Sequence, residues 1–266
     1  MQIALDLLSS RRVGLALSGG AVRGLAHIGV IKALDEAGIK PAVVAGTSVG
    51  SIIGAAIAAG WGWRDIAEMA RAVFWPTLLH GPALERFCTE HLPETFADLK
   101  LPFAAVSTIV SANRAIAISE GQLASAISAS CALRLLRRPV IRESVRLKDG
   151  GFTCVLPAHA CQELGADFVI ASDVWEWSSL MRSLGCSPAE PGWQTRVYPM
   201  HYRFALSRTN LYIHPDIPAS SYVPGSRAVN RMIAVGERAT HQALEVFSKS
   251  FDACGRQGLA EVVPVA

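Results

Sequence analysis

The chain has 266 residues, 51% of them hydrophobic and 18% charged, and its 25 Lys and Arg against 22 Asp and Glu leave a formal net charge of +3. That length buries about 75% of the unfolded surface and suits one α/β domain, while the absence of repeats and low-complexity tracts excludes a solenoid or a disordered chain. The six cysteines are scattered without a C-x-x-C pair or Cys/His ligand spacing, which excludes a structural zinc site and predicts a cytoplasmic protein with free thiols.

Met1 to Arg12 contains Asp6 and an apolar run too short for a secretion signal, so 1–12 is read as an N-terminal extension, 13–250 as the domain and 251–266 as a loosely ordered tail. Val13 to Leu17 reads as a short apolar strand, followed by Ser18-Gly19-Gly20-Ala21-Val22-Arg23-Gly24. A helix is predicted from Leu25 to Ala37, with Gly38 ending it. A glycine turn feeding a helix N-terminus leaves N–H groups aimed at one spot, with the positive end of the helix dipole behind them. Such a nest holds an anion, whether phosphate or oxyanion. Ala21 takes the place of the third glycine of G-x-G-x-x-G, and no Gly-Lys-Ser/Thr follows. Neither a dinucleotide fingerprint nor a P-loop is supported, and no cofactor is expected.

The run Ala42 to Ala45 leads into Gly46-Thr47-Ser48-Val49-Gly50, and the small-residue stretch Ile52 to Ala59 follows. This is strand, tight turn and helix with a serine at the apex. Flanking glycines (Gly46, Gly50) let the backbone pass without a Cβ clash, as in an esterase nucleophile elbow. From Pro41 to Trp63 there is no charge, a length that could span a bilayer. The five glycines in that run and the turn at Ser48 assign it instead to a central strand and a buried helix. Trp61, Trp63, Phe74 and Trp75 bracket a helix from Arg64 to Val73.

Strands are predicted near 103–110 and 114–118. Arg134, Arg137, Arg138, Arg142, Arg146 and Lys148 stand against Glu143 alone before Asp149. Arg134, Arg137 and Arg138 are candidates for anionic headgroup binding, at about 1 kcal/mol per residue near an anionic membrane; a solvated face is the plain alternative. Aromatics do not interleave with these arginines, so nucleic acid is not expected as a partner. Asp149-Gly150-Gly151 follows the strand-like Val140 to Leu147, and by itself also suits a hairpin turn. A helix over Pro157 to Leu164 and strands near 168–174 and 210–214 complete the pattern. The region 175–209, with Trp175, Trp177, Trp193, Tyr198, Tyr202 and Phe204 and a Pro/Gly/Trp-rich stretch from Ser178 to Pro199, reads as a long loop or lid over a pocket, its aromatics suited either to a membrane boundary or to the core. The alternation argues a mostly parallel sheet covered on both faces.

In that order, the glycine loop ending Arg23-Gly24, G-x-S-x-G at Ser48 and Asp149-Gly150-Gly151 resemble the patatin-like phospholipase family. The likeness extends over Val13 to Phe247, through Ala124 to Cys131, Leu164 to Ala171 and Leu211 to Asp216. It implies a three-layer α/β/α fold and a Ser–Asp dyad. Ser48 is then the nucleophile and Asp149 the general base. The N–H groups around Gly19, Gly20 and Ala21 form the oxyanion hole, braced by Arg23, and Gly150 and Gly151 complete the Asp loop. No metal is implied. The implied substrate is a phospholipid or other acyl-ester lipid, met at the inner membrane surface by peripheral association. An unperturbed Asp, with pKa about 3.9, is a weak base, so burial is expected to raise its proton affinity. The chain departs from the family at Leu133, Arg134 and Leu135 and at Cys154 and Val155, beside the implied site. Three alternatives stand: a thioesterase or acyltransferase using the same dyad, a catalytically weak lipid-binding protein, and a Ser–Asp–His triad. For the triad, His159, His201, His214 and His241 follow the acid, and His214 is the best placed.

Overall fold

The computed structural model describes residues 8, 10–73, 78, 82–133, 137–175, 199–217 and 226–254. Arg134, Leu135, Phe74, Trp75, 176–198 of the expected lid and the chain beyond 254 lie outside the described residues. The strands are β1 (Val13–Leu17), β2 (Val43–Thr47), β3 (Phe103–Ile109), β4 (Arg114–Ile118), β5 (Val140–Arg142), β6 (Val145–Asp149), β7 (Phe168–Ser172) and β8 (Leu211–Ile213). The helices, in chain order, are α1 (Ala26–Glu36), α2 (Val49–Ala58), α3 (Trp63–Ala72), α4 (Ala83–His91), α5 (Leu123–Ser130), α6 (Ala158–Glu163), α7 (Met200–Leu206) and α8 (Ser226–Cys254).

β3, β2, β1, β7 and β8 lie side by side and parallel. β1, β2 and β7 are buried at every position, which explains why they read as continuous apolar runs rather than alternating ones. Helices cover both faces. On one side α1 to α5 and α8 enclose the larger core, including Leu15, Leu17, Ile28, Ile53, Phe103 and Ile127. On the other, α6 and α7 enclose Ala16, Val43, Val106, Leu156 and Tyr202. α8 lies directly on α1: a Cβ at Gly29 would sit 1.9 Å from the Ile233 carbonyl oxygen, and one at Gly236 1.9 Å from that of Ala26. Those helices touch backbone to backbone because neither glycine has a side chain.

The segment expected as one strand, Val140 to Leu147, is a hairpin. Glu143 and Ser144 both take positive φ, 47° and 66°, and turn β5 back onto β6. The turn carries none of the Asn or Gly that favours this geometry, so the sequence does not announce it.

The register along β3 builds the site. β4 pairs with β3 from Ala105 to Ile109, so it occupies one edge. β2 pairs with Phe103 to Val106 and β6 with Ser107 to Ile109; overlapping β4 in this way, both must share the other edge. β2 runs parallel to β3 and ends at Val106, whereas β6 runs antiparallel and ends at Ser107. The C-terminal ends of β2 and β6 therefore meet head to head, Thr47 opposite Val106 and Asp149 opposite Ser107.

Candidate active site

Ser48 follows β2 with φ 53° and ψ −124°, a backbone region that ordinary side chains rarely adopt and that must be held by its surroundings. Close backbone packing and hydrogen bonds hold it. A Cβ at Gly46 would lie 2.2 Å from the Gly50 carbonyl oxygen, and one at Gly50 2.3 Å from that of Leu17. Glycine at both positions lets α2 leave the sheet at this steep angle against β1. The Ser48 N–H donates to Ser130 Oγ (2.9 Å), whose hydroxyl donates to the Val106 carbonyl (2.5 Å). The Ser51 hydroxyl donates to the Ser48 carbonyl (2.6 Å). Ser130, near the end of α5, thus ties the elbow to the midpoint of β3.

Asp149 is 5% exposed. Its N–H donates to the Ala132 carbonyl (3.0 Å), and the Thr108 hydroxyl donates to its carbonyl (2.9 Å). The Thr153 hydroxyl must then donate to Thr108 Oγ1, 2.8 Å away. The Gly151 N–H donates to Asp149 Oδ1 (2.8 Å). Burial pushes the carboxyl up to about 6 from 3.8, partly offset by that N–H and by the Ser48 hydroxyl. Ser48 therefore lies close enough to favour the ionised carboxylate, although no short hydrogen bond closes between them. Such looseness is common in unliganded sites.

The glycine loop passes above the elbow. The Gly19 N–H is engaged by the Val155 carbonyl (2.9 Å), so it anchors the loop instead of facing an oxyanion. The N–H groups of Gly20 and Ala21 donate to no acceptor among the described residues, and Ala21 carries a positive φ of 49°. Arg23 is buried, and its Nε–H donates to the Val174 carbonyl (3.0 Å). Val174 in turn donates its N–H to Ser18 Oγ (2.8 Å) and packs where a Gly20 side chain would stand. Beneath the loop, buried His27 lies between Ser172 Oγ (2.7 Å) and the Ser18 carbonyl (3.0 Å). The carbonyl can only accept, so Nε2 carries the proton and Nδ1 accepts from Ser172. Burial lowers the His27 pKa to about 4 and keeps the ring neutral.

The histidine best placed for the alternative triad sits elsewhere. His214 Nδ1 is 3.7 Å from Asp173 Oδ2, and the same carboxylate accepts from the hydroxyls of Tyr202 and Tyr212. Burial works to raise the Asp173 carboxyl, but the hydrogen bonds from His214, Tyr202 and Tyr212 outweigh it and hold it below the ordinary carboxylate range. This buried knot pins the segment that backs the glycine loop. Tyr202, within the span expected as a lid, takes the core alternative and is fully buried. Among the described residues no histidine bonds Asp149.

The basic cluster divides on folding. Arg137 is 9% exposed and turns inward, its Nη2 donating to Ser128 Oγ (2.6 Å), so it is not a surface headgroup ligand. Arg142 folds back onto the carbonyls of Gln122 and Glu120 (2.7 and 3.0 Å). Arg138 is exposed. Ser130 and Thr108 are the supporting residues that sequence reasoning missed, whereas His27, ahead of the acid in the chain, reads as structural and is so. The only signal for Ser130 is a hydroxyl repeated in a helix of small residues.

Fold and site together define an α/β protein of the nucleophile-elbow class, with a buried carboxylic acid beside the elbow serine and a glycine loop above it. The profile of the family described as patatin-like phospholipase matches residues 15–161, just over half of the chain and a span holding the glycine loop, Ser48 and Asp149. The chain belongs to that family. It is 34% identical over 190 residues to lysophospholipase nte1 of Aspergillus fumigatus, covering 63% of this chain and 12% of that protein. It is 33% identical over 187 residues to patatin-like phospholipase domain-containing protein 6 of Homo sapiens, covering 63% and 14%. The chain thus matches only about an eighth of the length of these relatives. Among solved structures, VipD from Legionella pneumophila aligns over 88% of this chain and 67% of its own, with TM-score 0.55 and 16% identity, a likeness of fold.

Proposed function

We propose that the chain is a serine acyl hydrolase of phospholipase A or lysophospholipase type, working through Ser48 and Asp149. The observation that carries this reading is the head-to-head meeting of β2 and β6, which sets a strained serine beside a carboxyl pushed up to about 6. A serine hydroxyl is a poor nucleophile until a base takes its proton, and a carboxyl titrating near 6 is a far better base than an ordinary one. In the first step Asp149 accepts the Ser48 proton as Oγ attacks the acyl carbonyl. The N–H groups of Gly20 and Ala21 receive the developing oxyanion, each such donor contributing about 2.7–4 kcal/mol. Asp149 then returns the proton to the departing alcohol, leaving an acyl-enzyme. Water attacks that ester, giving its proton to Asp149, and Asp149 returns it to Ser48 Oγ as the fatty acid leaves.

The family membership and the names of the relatives support a lipid acyl ester as substrate. No helix among the described residues is long and apolar enough to cross a membrane, and the reading places the protein peripherally on its lipid. The test is product analysis on phospholipid, lysophospholipid, triglyceride and acyl-CoA, with a fluorophosphonate probe alongside. Fatty acid release and labelling by wild type, both lost in Ser48→Ala, are expected. Labelling that persists in Ser48→Ala, or none in wild type, would overturn the assignment.

A further inference from the structure

We infer that the outer face of the β5–β6 hairpin is an interfacial docking surface for an anionic phospholipid bilayer, a reading that rests on and deepens the proposed lipid hydrolase function. Ile141 is 68% exposed, an uncommon position for an isoleucine on an edge strand. It pairs directly with Arg146, and cross-strand partners share a face. Lys148, two residues further along β6, lies on that face too, and its Nζ stands 4.6 Å from the ring centroid of Phe152, itself 45% exposed. The face therefore runs Ile141, Arg146, Lys148, Phe152, with apolar side chains at both ends and two cations between them. No carboxylate among the described residues pairs with Arg146 or Lys148; Lys148 donates only to the neutral Asn113 side chain (3.2 Å). The one exposed carboxylate of the hairpin, Glu143, sits at its tip.

This pattern fits a membrane boundary better than a protein partner. Apolar ends can enter the headgroup–acyl boundary while the cations between them remain at the depth of the phosphates. Lys148 is followed by Asp149, whose side chain alternates to the opposite face of β6 with Leu147, and Phe152 closes the turn after it.

The experiment is co-sedimentation of the full chain with vesicles of phosphatidylcholine, with and without phosphatidylglycerol. Wild type should bind the anionic vesicles and release them at high salt. Arg146→Gln should weaken binding about fivefold and Ile141→Ser about tenfold. Both variants lie away from Ser48, so melting temperature and hydrolysis of a short-chain soluble ester should stay as in wild type. Equal vesicle binding by wild type and the double variant overturns the proposal, as does wild type ignoring anionic vesicles while still cleaving the soluble ester. In either case the hydrolase reading survives. Conversely, loss of vesicle binding in the variants with no Ser48-dependent hydrolysis anywhere keeps the docking face and removes the hydrolase. If light scattering finds a dimer that Ile141→Ser dissociates, with vesicle binding unchanged, the face belongs to a second copy of this chain and the proposal falls.

Discussion

The buried carboxyl of Asp149 should weaken the fold, and Asp149→Asn should reveal the cost. Folding moves its carboxyl from 3.8 to about 6, chiefly by burial. For an acid whose folded pKa is raised, the folded state holds the proton more tightly. Stability is therefore greatest below the unfolded pKa and is lost as pH rises through the folded one. A rise of about two pKa units corresponds to about 3 kcal/mol, fully expressed at pH 8 and reduced to under about 1 kcal/mol near pH 4. Asparagine keeps an oxygen for the Gly151 N–H and carries no charge to desolvate. Urea unfolding of Asp149→Asn and wild type at pH 8, 6 and 4 should thus show the variant more stable by about 3 kcal/mol, with the gap closing as pH falls. The same variant should lose Ser48-dependent hydrolysis. A variant no more stable than wild type at pH 8, or a gap that does not shrink toward pH 4, would refute the claim that Asp149 is held in a desolvated, proton-retaining position.

The proposed base must be ionised to accept the serine proton, so the rate of Ser48 labelling by a fluorophosphonate should fall on the acid side of about pH 6 and level off above it. Gly46→Ala should cost about 3 kcal/mol or more by thermal melt, since its Cβ meets backbone at 2.2 Å. Gly38→Ala, at φ 73° with nothing within 4 Å, should cost only about 1–2 kcal/mol. His27, lowered to about 4 by burial, contributes stability that is present above the unfolded value of 6.5 and lost as pH falls toward 4. Measured in the Asp149→Asn background, stability should drop by about 3 kcal/mol across that window, and the drop should vanish in His27→Asn. Arg137→Gln should leave binding to anionic vesicles unchanged, because that guanidinium points at Ser128 and not at solvent.

Much of this was legible in the residues alone, for a local reason. The apolar runs of β1, β2 and β7, the glycines either side of Ser48 and the loop from Ser18 to Gly24 are each demanded by short-range sterics and burial, and short-range demands leave marks in neighbouring positions. The family likeness carried by the three motifs belongs with them, and the profile match over 15–161 bears it out. The Glu143-Ser144 turn left no mark, because its positive φ values fall on residues that do not favour them. The inward course of Arg137 left none either, since six basic residues in a row of fifteen look alike until packing sorts them.

What the sequence by itself determined is a strand–elbow–helix unit with a serine at its apex and an acid awaiting a partner. Only the tertiary structure decided that the strand ends carrying them meet. β3 is long enough to offer one edge to two strands arriving from opposite directions, and the stagger of their pairing puts both ends at Val106 and Ser107. The same packing engaged the Gly19 amide with Val155 and gave His214 to Asp173. Register and hydrogen-bond partnership are properties of pairs of distant segments, and no single stretch of chain encodes them.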